Sequence, residues 1–384
     1  MSPTSFRQLF LASLFSSLFV GTISKPTAYP NQYSEHALRK RAALNVVQTT
    51  YTNAHTLDWI PIESQGTIAS PPPPRPQYTN NTLTPELEAP GAEKGPAGTV
   101  PVPRMSPEYL ARAAPKQAPS SSPSKEKSKR QYSGDHWYVS SNQGVNNIGG
   151  YAVFSQFDAF VDANDFSLLQ TCVGTSSQTL EAGWINYPDQ VAQPHLFTYY
   201  NTNGYTQQGN GLGGWNQDVT GWVQYSSTIF PGTVFTPTSV IGGAQYEISI
   251  EYLLYESNWW LGINGNWIGY YPASLFSAGP TSGTVSLETA SDNILYYGEI
   301  YQSEGPLTTT DMGSGEFGTA GSGKAAYIHN MEYTDPTSTA QYYTAGFWAS
   351  DTSRYNFVSY PTSGTSWGSY VYLGGPGAGG VVGA

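Results

Sequence analysis

Over residues 131–384 apolar and polar side chains alternate with a period of two, the pattern of half-buried strands. Residues 178–184 place Leu180, Ala182 and Trp184 on one face and Thr179, Glu181 and Gly183 on the other. One carboxylate therefore stands on a face otherwise lined by small residues. Residues 294–301 repeat the design, with Tyr297, Glu299 and Tyr301 on one face and Ile300 turned away. Further strand patterns fall at 136–139, 151–154, 196–200, 221–225, 245–254, 259–263, 267–271, 325–329 and 370–373. Asn264-Gly265, between two of them, is a two-residue hairpin signal. Only 158–169 and 272–276 hint at helical turns. About a dozen short strands without helices predict an all-β fold, an antiparallel β-sandwich of two curved sheets. No fixed-period repeat suggests a propeller or solenoid.

The first 130 residues read differently. Residues 1–24 predict a signal peptide, with Arg7 before an apolar run at 9–20 and small residues at Thr22 and Ser24. That run is too short to span a bilayer and nothing downstream is longer, so the expectation is a secreted chain with no membrane segment after cleavage. Residues 25–130 predict a pro-segment. It carries a basic cluster at Arg39-Lys40-Arg41 and a short strand-like piece at 56–62. From Pro71 to Lys129 runs a tract rich in Pro, Ala, Ser and Lys, read as a disordered linker because it lacks the apolar area to fold alone. Asn80 begins a glycosylation sequon inside that tract. The tract ends at the dibasic pair Lys129-Arg130, a processing site, so the mature catalytic domain is expected to span 131–384 and to start at or near Gln131.

Composition sharpens this division. Residues 1–130 hold 14 Lys+Arg and 8 Asp+Glu, whereas 131–384 hold 2 and 19, giving the net −11 of the whole chain. A domain this acidic is a poor partner for nucleic acid. Its carboxylates repel at pH 7 and neutralise in acid, which suits work at low pH. A basic leader on an acidic domain further suggests that the pro-segment inhibits its own enzyme until acidification loosens it. Cys172 is the single cysteine, so no internal disulfide forms, and it reads as a small buried hydrophobe.

Several motifs fail on context. Residues 313–318 fit a dinucleotide fingerprint but follow a Thr-rich loop instead of a strand. Residues 318–324 nearly match a phosphate loop, yet Ala325 stands where a hydroxyl must hold magnesium. Residues 364–368 fit a nucleophile elbow, but that fold needs a histidine after the serine and the last is His329. The five histidines, 36, 55, 136, 195 and 329, make no metal-ligand spacing, so neither a metal nor another cofactor is expected. Carboxylates remain for acid–base chemistry. Two of them facing one cleft share a proton, one acting as base while the other donates to the developing oxyanion. Glu181 and Glu299 are the candidates. Tyr297 and Tyr301 beside Glu299 favour it as the base, by orienting a water.

These same segments resemble the neprosin family of glutamic peptidases. The likeness rests on Thr179-Leu180-Glu181-Ala182-Gly183-Trp184, Phe197-Thr198-Tyr199-Tyr200, Asn258-Trp259-Trp260-Leu261, Gly269-Tyr270-Tyr271-Pro272, Tyr297-Gly298-Glu299, Asp311-Met312-Gly313-Ser314-Gly315 and Tyr372-Leu373-Gly374-Gly375-Pro376-Gly377, in order along the chain. The resemblance implies a β-sandwich with its two glutamates at Glu181 and Glu299. It also implies endopeptidase activity at low pH, typically after proline, and activation by loss of an N-terminal segment. Protein or peptide substrates follow, proline-rich ones included. Plant members carry cysteines that look disulfide-bonded, which this chain cannot match. Trp184, Tyr297, Tyr301 and Trp259 are candidate substrate-binding residues. Two rival readings fit the same residues: a glycoside hydrolase with paired glutamates in an aromatic cleft, and a non-catalytic carbohydrate-binding module of the cell wall.

Overall fold

The computed structural model describes residues 32–73, 83–87, 92–117, 134–277 and 285–379. The signal segment, Asn80, Lys129, Arg130 and Gln131 lie outside them. Helix α1 (Gln32–Ala42) is followed by β1 (Gln48–Tyr51), β2 (Thr56–Pro61), β3 (Thr99–Pro103) and α2 (Pro107–Arg112). Then come β4 (Asp135–Asn147), β5 (Gly149–Ser155), β6 (Phe166–Gly174), β7 (Thr179–Tyr187), β8 (Val191–Asn201), β9 (Gly213–Trp215) and β10 (Val223–Gln224). The chain continues through β11 (Glu247–Tyr255), β12 (Asn258–Ile263), β13 (Asn266–Pro272), β14 (Ser291–Gln302), β15 (Ala326–Thr334), β16 (Ala340–Tyr342), β17 (Phe347–Ala349), β18 (Asn356–Tyr360) and β19 (Tyr370–Gly374). No helix among the described residues is long and apolar enough to cross a membrane.

The strands build two large antiparallel sheets. One has seven strands in the order β17-β4-β14-β6-β7-β8-β9. The other has nine, ordered β10-β13-β12-β11-β5-β15-β19-β18 with β16 beside β15. Their inner faces share one apolar core in which Leu180, Ala182 and Trp184 meet Ile248, Ile250, Tyr252 and Trp259. The fold is thus the expected β-sandwich. Asn264 (φ 48°) and Gly265 (φ 72°) make the tight β12–β13 hairpin, a conformation their short or absent side chains accept.

Two local expectations are corrected. Residues 158–169 are not helical; the chain enters β6 at Phe166. All nine residues of β6 are buried, and apolar side chains fall on both of its faces, Phe166 and Leu168 on one and Leu169 and Val173 on the other, so its period is hidden. The Pro/Ser/Lys tract, in turn, is not uniformly unstructured. Within it β3 completes a small sheet with β1 and β2, and α2 is capped by the Ser106 side chain accepting from the Tyr109 amide. These pieces order because Val100, Val102, Tyr109 and Leu110 bury their side chains, Tyr109 and Leu110 in the core cluster of the sandwich itself.

Candidate active site

The outer face of the seven-stranded sheet carries the site. β14 and β7 flank β6, with Leu168 opposite Glu299 and Cys172 opposite Glu181. Partners across a ladder share a face, so both glutamates rise from the side of the sheet away from the core. Between them β6 contributes Gln170, whose Nε2 donates to Glu181 Oε2 at 2.8 Å. β6 and β7 approach closely at Gly183. A Cβ there would lie 2.0 Å from the Leu169 carbonyl oxygen and 2.8 Å from Gln170 Cα.

Glu181 is ringed by donors. Tyr205 Oη donates to its Oε1 at 2.7 Å and Thr179 Oγ1 at 3.0 Å, while Tyr297 Oη donates to Oε2 at 3.1 Å. Glu299 Oε1 is 2.7 Å from His136 Nδ1. Burial raises the phenols of Tyr205, Tyr297 and Tyr138, and the nearby glutamates raise them further, so they stay protonated donors. Burial likewise pushes the Cys172 thiol up. The residue is buried beside the site against Tyr138 and Tyr297, the small buried hydrophobe its sequence context suggested.

The leader enters this face. Its residues 114–117 alternate buried and exposed, as an extended strand would. The Ala114 amide donates to Tyr187 Oη at 3.1 Å, and Trp215 Nε1 donates to the Ala114 carbonyl at 2.9 Å. Tyr138 Oη donates to the Gln117 carbonyl at 2.9 Å. Between these anchors the Lys116 ammonium contacts Glu299 Oε2 directly, lies 3.0 Å from Glu181 Oε2 and donates to Gln170 Oε1 at 3.2 Å. All three charged side chains are fully buried. The rings of Phe166, Phe197, Trp215 and Tyr297 stand 5.7–5.8 Å from the ammonium, a cage for a cation.

Electrostatics follow from this packing. Burial alone would lower Lys116, but Glu181 and Glu299 outweigh it and hold the ammonium above its ordinary value. Burial would raise Glu299, yet Lys116 and then His136 hold it below the usual carboxylate range. One nitrogen touches both carboxylates, so a water in its place would be within hydrogen-bonding reach of both.

A second contact zone ties the leader down. Asp218 accepts from Tyr33 Oη at 2.8 Å and Tyr109 Oη at 3.0 Å, both leader residues, and Lys40 donates to the carbonyls of Gln217 and Val219. Burial lifts Asp218 to about 6, against those two hydrogen bonds, and lowers Lys40 to about 8. The rest of the basic cluster does not reach the acidic domain in this way. Arg39 pairs with Glu35, and Arg41 and Arg104 pair with Asp58, all within the leader.

Tyr297 lies on the site face. Tyr301 is one pairing further along β14, its ring 5.1 Å from His136 and 5.4 Å from Phe166. Trp184 and Trp259 are instead in the core, fully buried, with their indole N–H groups donating to the carbonyls of Ser155 and Leu287. They sit on inner faces and cannot line a groove on the outer one. No group of three His, Cys, Asp or Glu side chains among the described residues is arranged to hold a metal ion.

A family model described as Neprosin matches residues 163–376, more than half of the chain and both glutamates. This chain belongs to the neprosin family of glutamic peptidases. It is therefore a glutamic-type peptidase, and its substrates are proteins or peptides. Membership in a neprosin family sets aside the glycoside-hydrolase and carbohydrate-binding readings of the same residues. Among solved structures, one of a scytalido-glutamic peptidase with a peptide-based transition state analog is similar at a TM-score of 0.29 and 9% identity. The match covers 64% of this chain and 98% of that one.

Proposed function

We propose that this neprosin-family chain is a secreted, acid-active endopeptidase, made as a precursor whose leader blocks the site. In this reading a water held between Glu181 and Glu299 attacks the peptide carbonyl, with cleavage after proline as the family resemblance implies. The observation that carries it is the convergence of two buried carboxylates from β7 and β14 on one point.

Two such carboxyls share a proton once the ammonium leaves. Glu299 is the base, because His136 stays beside it and favours its ionised form. It takes a proton from the water as the water oxygen bonds to the carbonyl carbon. Glu181 holds the shared proton and donates it to the carbonyl oxygen, with Tyr205 and Tyr297 fixing its orientation. Collapse of the tetrahedral species breaks the C–N bond as the proton on Glu299 passes to the leaving nitrogen, and the hydroxyl formed from the carbonyl oxygen returns its proton to Glu181 as the C=O bond re-forms. Lys116 occupies the place of the water and pairs with both carboxylates, so an intact leader leaves no nucleophile in the site. Processing at Lys129-Arg130 and acid then free the mature domain.

Activated protein incubated with a mixed protein digest at pH 3–5, read by mass spectrometry, tests this. Wild type is expected to release peptides, enriched for cleavage after proline. Glu181→Gln and Glu299→Gln should each lose at least about 10²-fold in rate. Retained activity in either variant refutes the paired-carboxyl mechanism.

A further inference from the structure

The nine-stranded sheet bears an aromatic platform on its outer face, the side of the molecule opposite the glutamates. On β12 and β13 the inward positions are Trp259, Leu261 and Tyr271, which turns Trp260 and Tyr270 outward, paired across the ladder. Their ring centroids lie 4.6 Å apart with the planes tilted by 41°, and Trp267 lies 6.3 Å from Trp260. Gly262 gives Trp267 its place: a Cβ there would meet the indole ring at 3.0 Å.

This platform is occupied by the leader, and the occupant is informative. Trp267 Nε1 donates to the Pro72 carbonyl at 3.0 Å. The Ala69 amide donates to Tyr270 Oη at 3.0 Å, and that hydroxyl lies 3.5 Å from the Thr67 carbonyl. Pro72 is buried. Prolines have no N–H to offer, so a surface that recognises them supplies donors to their carbonyls and flat rings to their pyrrolidines. Trp267 supplies such a donor to Pro72, and Tyr270 holds the residues before it through the Ala69 amide. The neighbouring Trp260 indole N–H is fully buried and has no acceptor among the described residues, a donor left over for a further carbonyl.

We propose that this face is a second peptide site, an exosite for a proline-rich segment in polyproline II form. The leader's Pro71-Pro72-Pro73 fills it in the intact chain, and departure of the leader opens it to proline-rich stretches of a protein substrate. This rests on the reading of the leader as a removable inhibitor. The leader itself shows that one chain spans both places, with Pro72 on the platform and Lys116 between the glutamates. A long substrate tethered behind would reach the active site at raised effective concentration; a short peptide would gain nothing.

The test uses the full chain with Glu299→Gln, so that binding is read without cleavage. A fluorescein-labelled oligoproline is titrated by polarisation into that protein and into one whose residues 67–73 are replaced by a Gly/Ser tract of equal length. The replaced form is expected to bind at least tenfold tighter. Adding Trp267→Ala should return it to the level of the unreplaced chain, and Trp267→Phe, which keeps a ring but loses the donor, should weaken binding at least threefold. Equal binding by the first two proteins overturns the proposal. So does binding that survives both Trp267 changes, or a β-glucan hexasaccharide that binds with the same Trp267 dependence where oligoproline does not. The readout is independent of turnover, so loss of this binding leaves the peptidase reading standing, and failure of the glutamate variants to lose activity leaves this site standing.

Discussion

Lys116→Ala removes the one buried cation between two buried carboxylates. Deleting one partner of a buried pair costs about 3–5 kcal/mol, because the remaining charges are left desolvated. Water entering the gap would recover part of this, so the lower end, about 3 kcal/mol, is the working figure. The contacts at Asp218 and the β1–β3 sheet are untouched, so the loss falls on local lifting of the segment around Lys116 and not on the whole leader. At about 1.4 kcal/mol per factor of ten, the open population rises on the order of 10²-fold. The assay is hydrolysis of a fluorogenic peptide at pH 5 by the intact chain, with Arg130→Ala in both proteins to prevent processing. Lys116→Ala should run about 10² times faster than the unsubstituted leader. If the two differ by less than about twofold while processed enzyme is active under the same conditions, the ammonium is not what keeps the precursor silent.

Three further outcomes follow from the same geometry. His136→Ala should move the acid limb of the kcat/KM–pH profile to higher pH, since His136 helps hold Glu299 below its ordinary value; an unmoved limb refutes Glu299 as base. Leader docking should respond to acid in two opposed ways. Glu299, held low, contributes to docking above the ordinary glutamate value, near 4.3, and that contribution is lost as pH falls through its depressed value. Lys116, held high, contributes throughout this range and loses its contribution only as pH rises through its raised value. Asp218, raised to about 6, penalises docking when ionised, so its effect strengthens docking as pH falls from about 6 towards its ordinary value. Asp218→Asn should therefore flatten the pH dependence of leader affinity above pH 4 and leave release below it intact, as read by protease accessibility of the leader across pH 3–7. Gly183→Ala should lower stability by about 1–3 kcal/mol and reduce kcat, because the methyl would push β7 from β6 and separate Gln170 from Glu181. Thermal unfolding and steady-state rates report both, and a fully active, equally stable variant refutes that account of the glycine.

The sandwich was legible because many strands alternate apolar residues with polar or small ones, even where both faces are buried, as in β7. Alternation also put Glu181 and Glu299 on outward faces, and Asn264-Gly265 marked its hairpin. What period alone could not show is which outward faces are covered. β6 sets apolar side chains on both faces, Phe166 and Leu168 outward and Leu169 and Val173 inward, so its residues carry no alternation. The same blindness misplaced Trp184 and Trp259. Aromatic character suggested a groove, although the alternation around Glu181 already pointed Trp184 the other way. Lys116 sits in a stretch of low complexity, where no local pattern separates it from its neighbours. Its role depends on a contact 183 positions away. His136 and Gln170 were visible only as polar residues on strands, and nothing short of the register of β4 and β6 against β14 assigns them to the glutamates.

The leader's cover over β6 and β7 bears on how the protein is made. Phe166, Leu168, Phe197 and Trp215 belong to the buried core of the intact chain, yet they stand on the site side of their sheet. A polypeptide synthesised from Gln131 onward would have to collapse with those side chains facing solvent and with no strap to mask them. Its yield from refolding, more than the turnover of whatever survives, is where the missing segment would be felt.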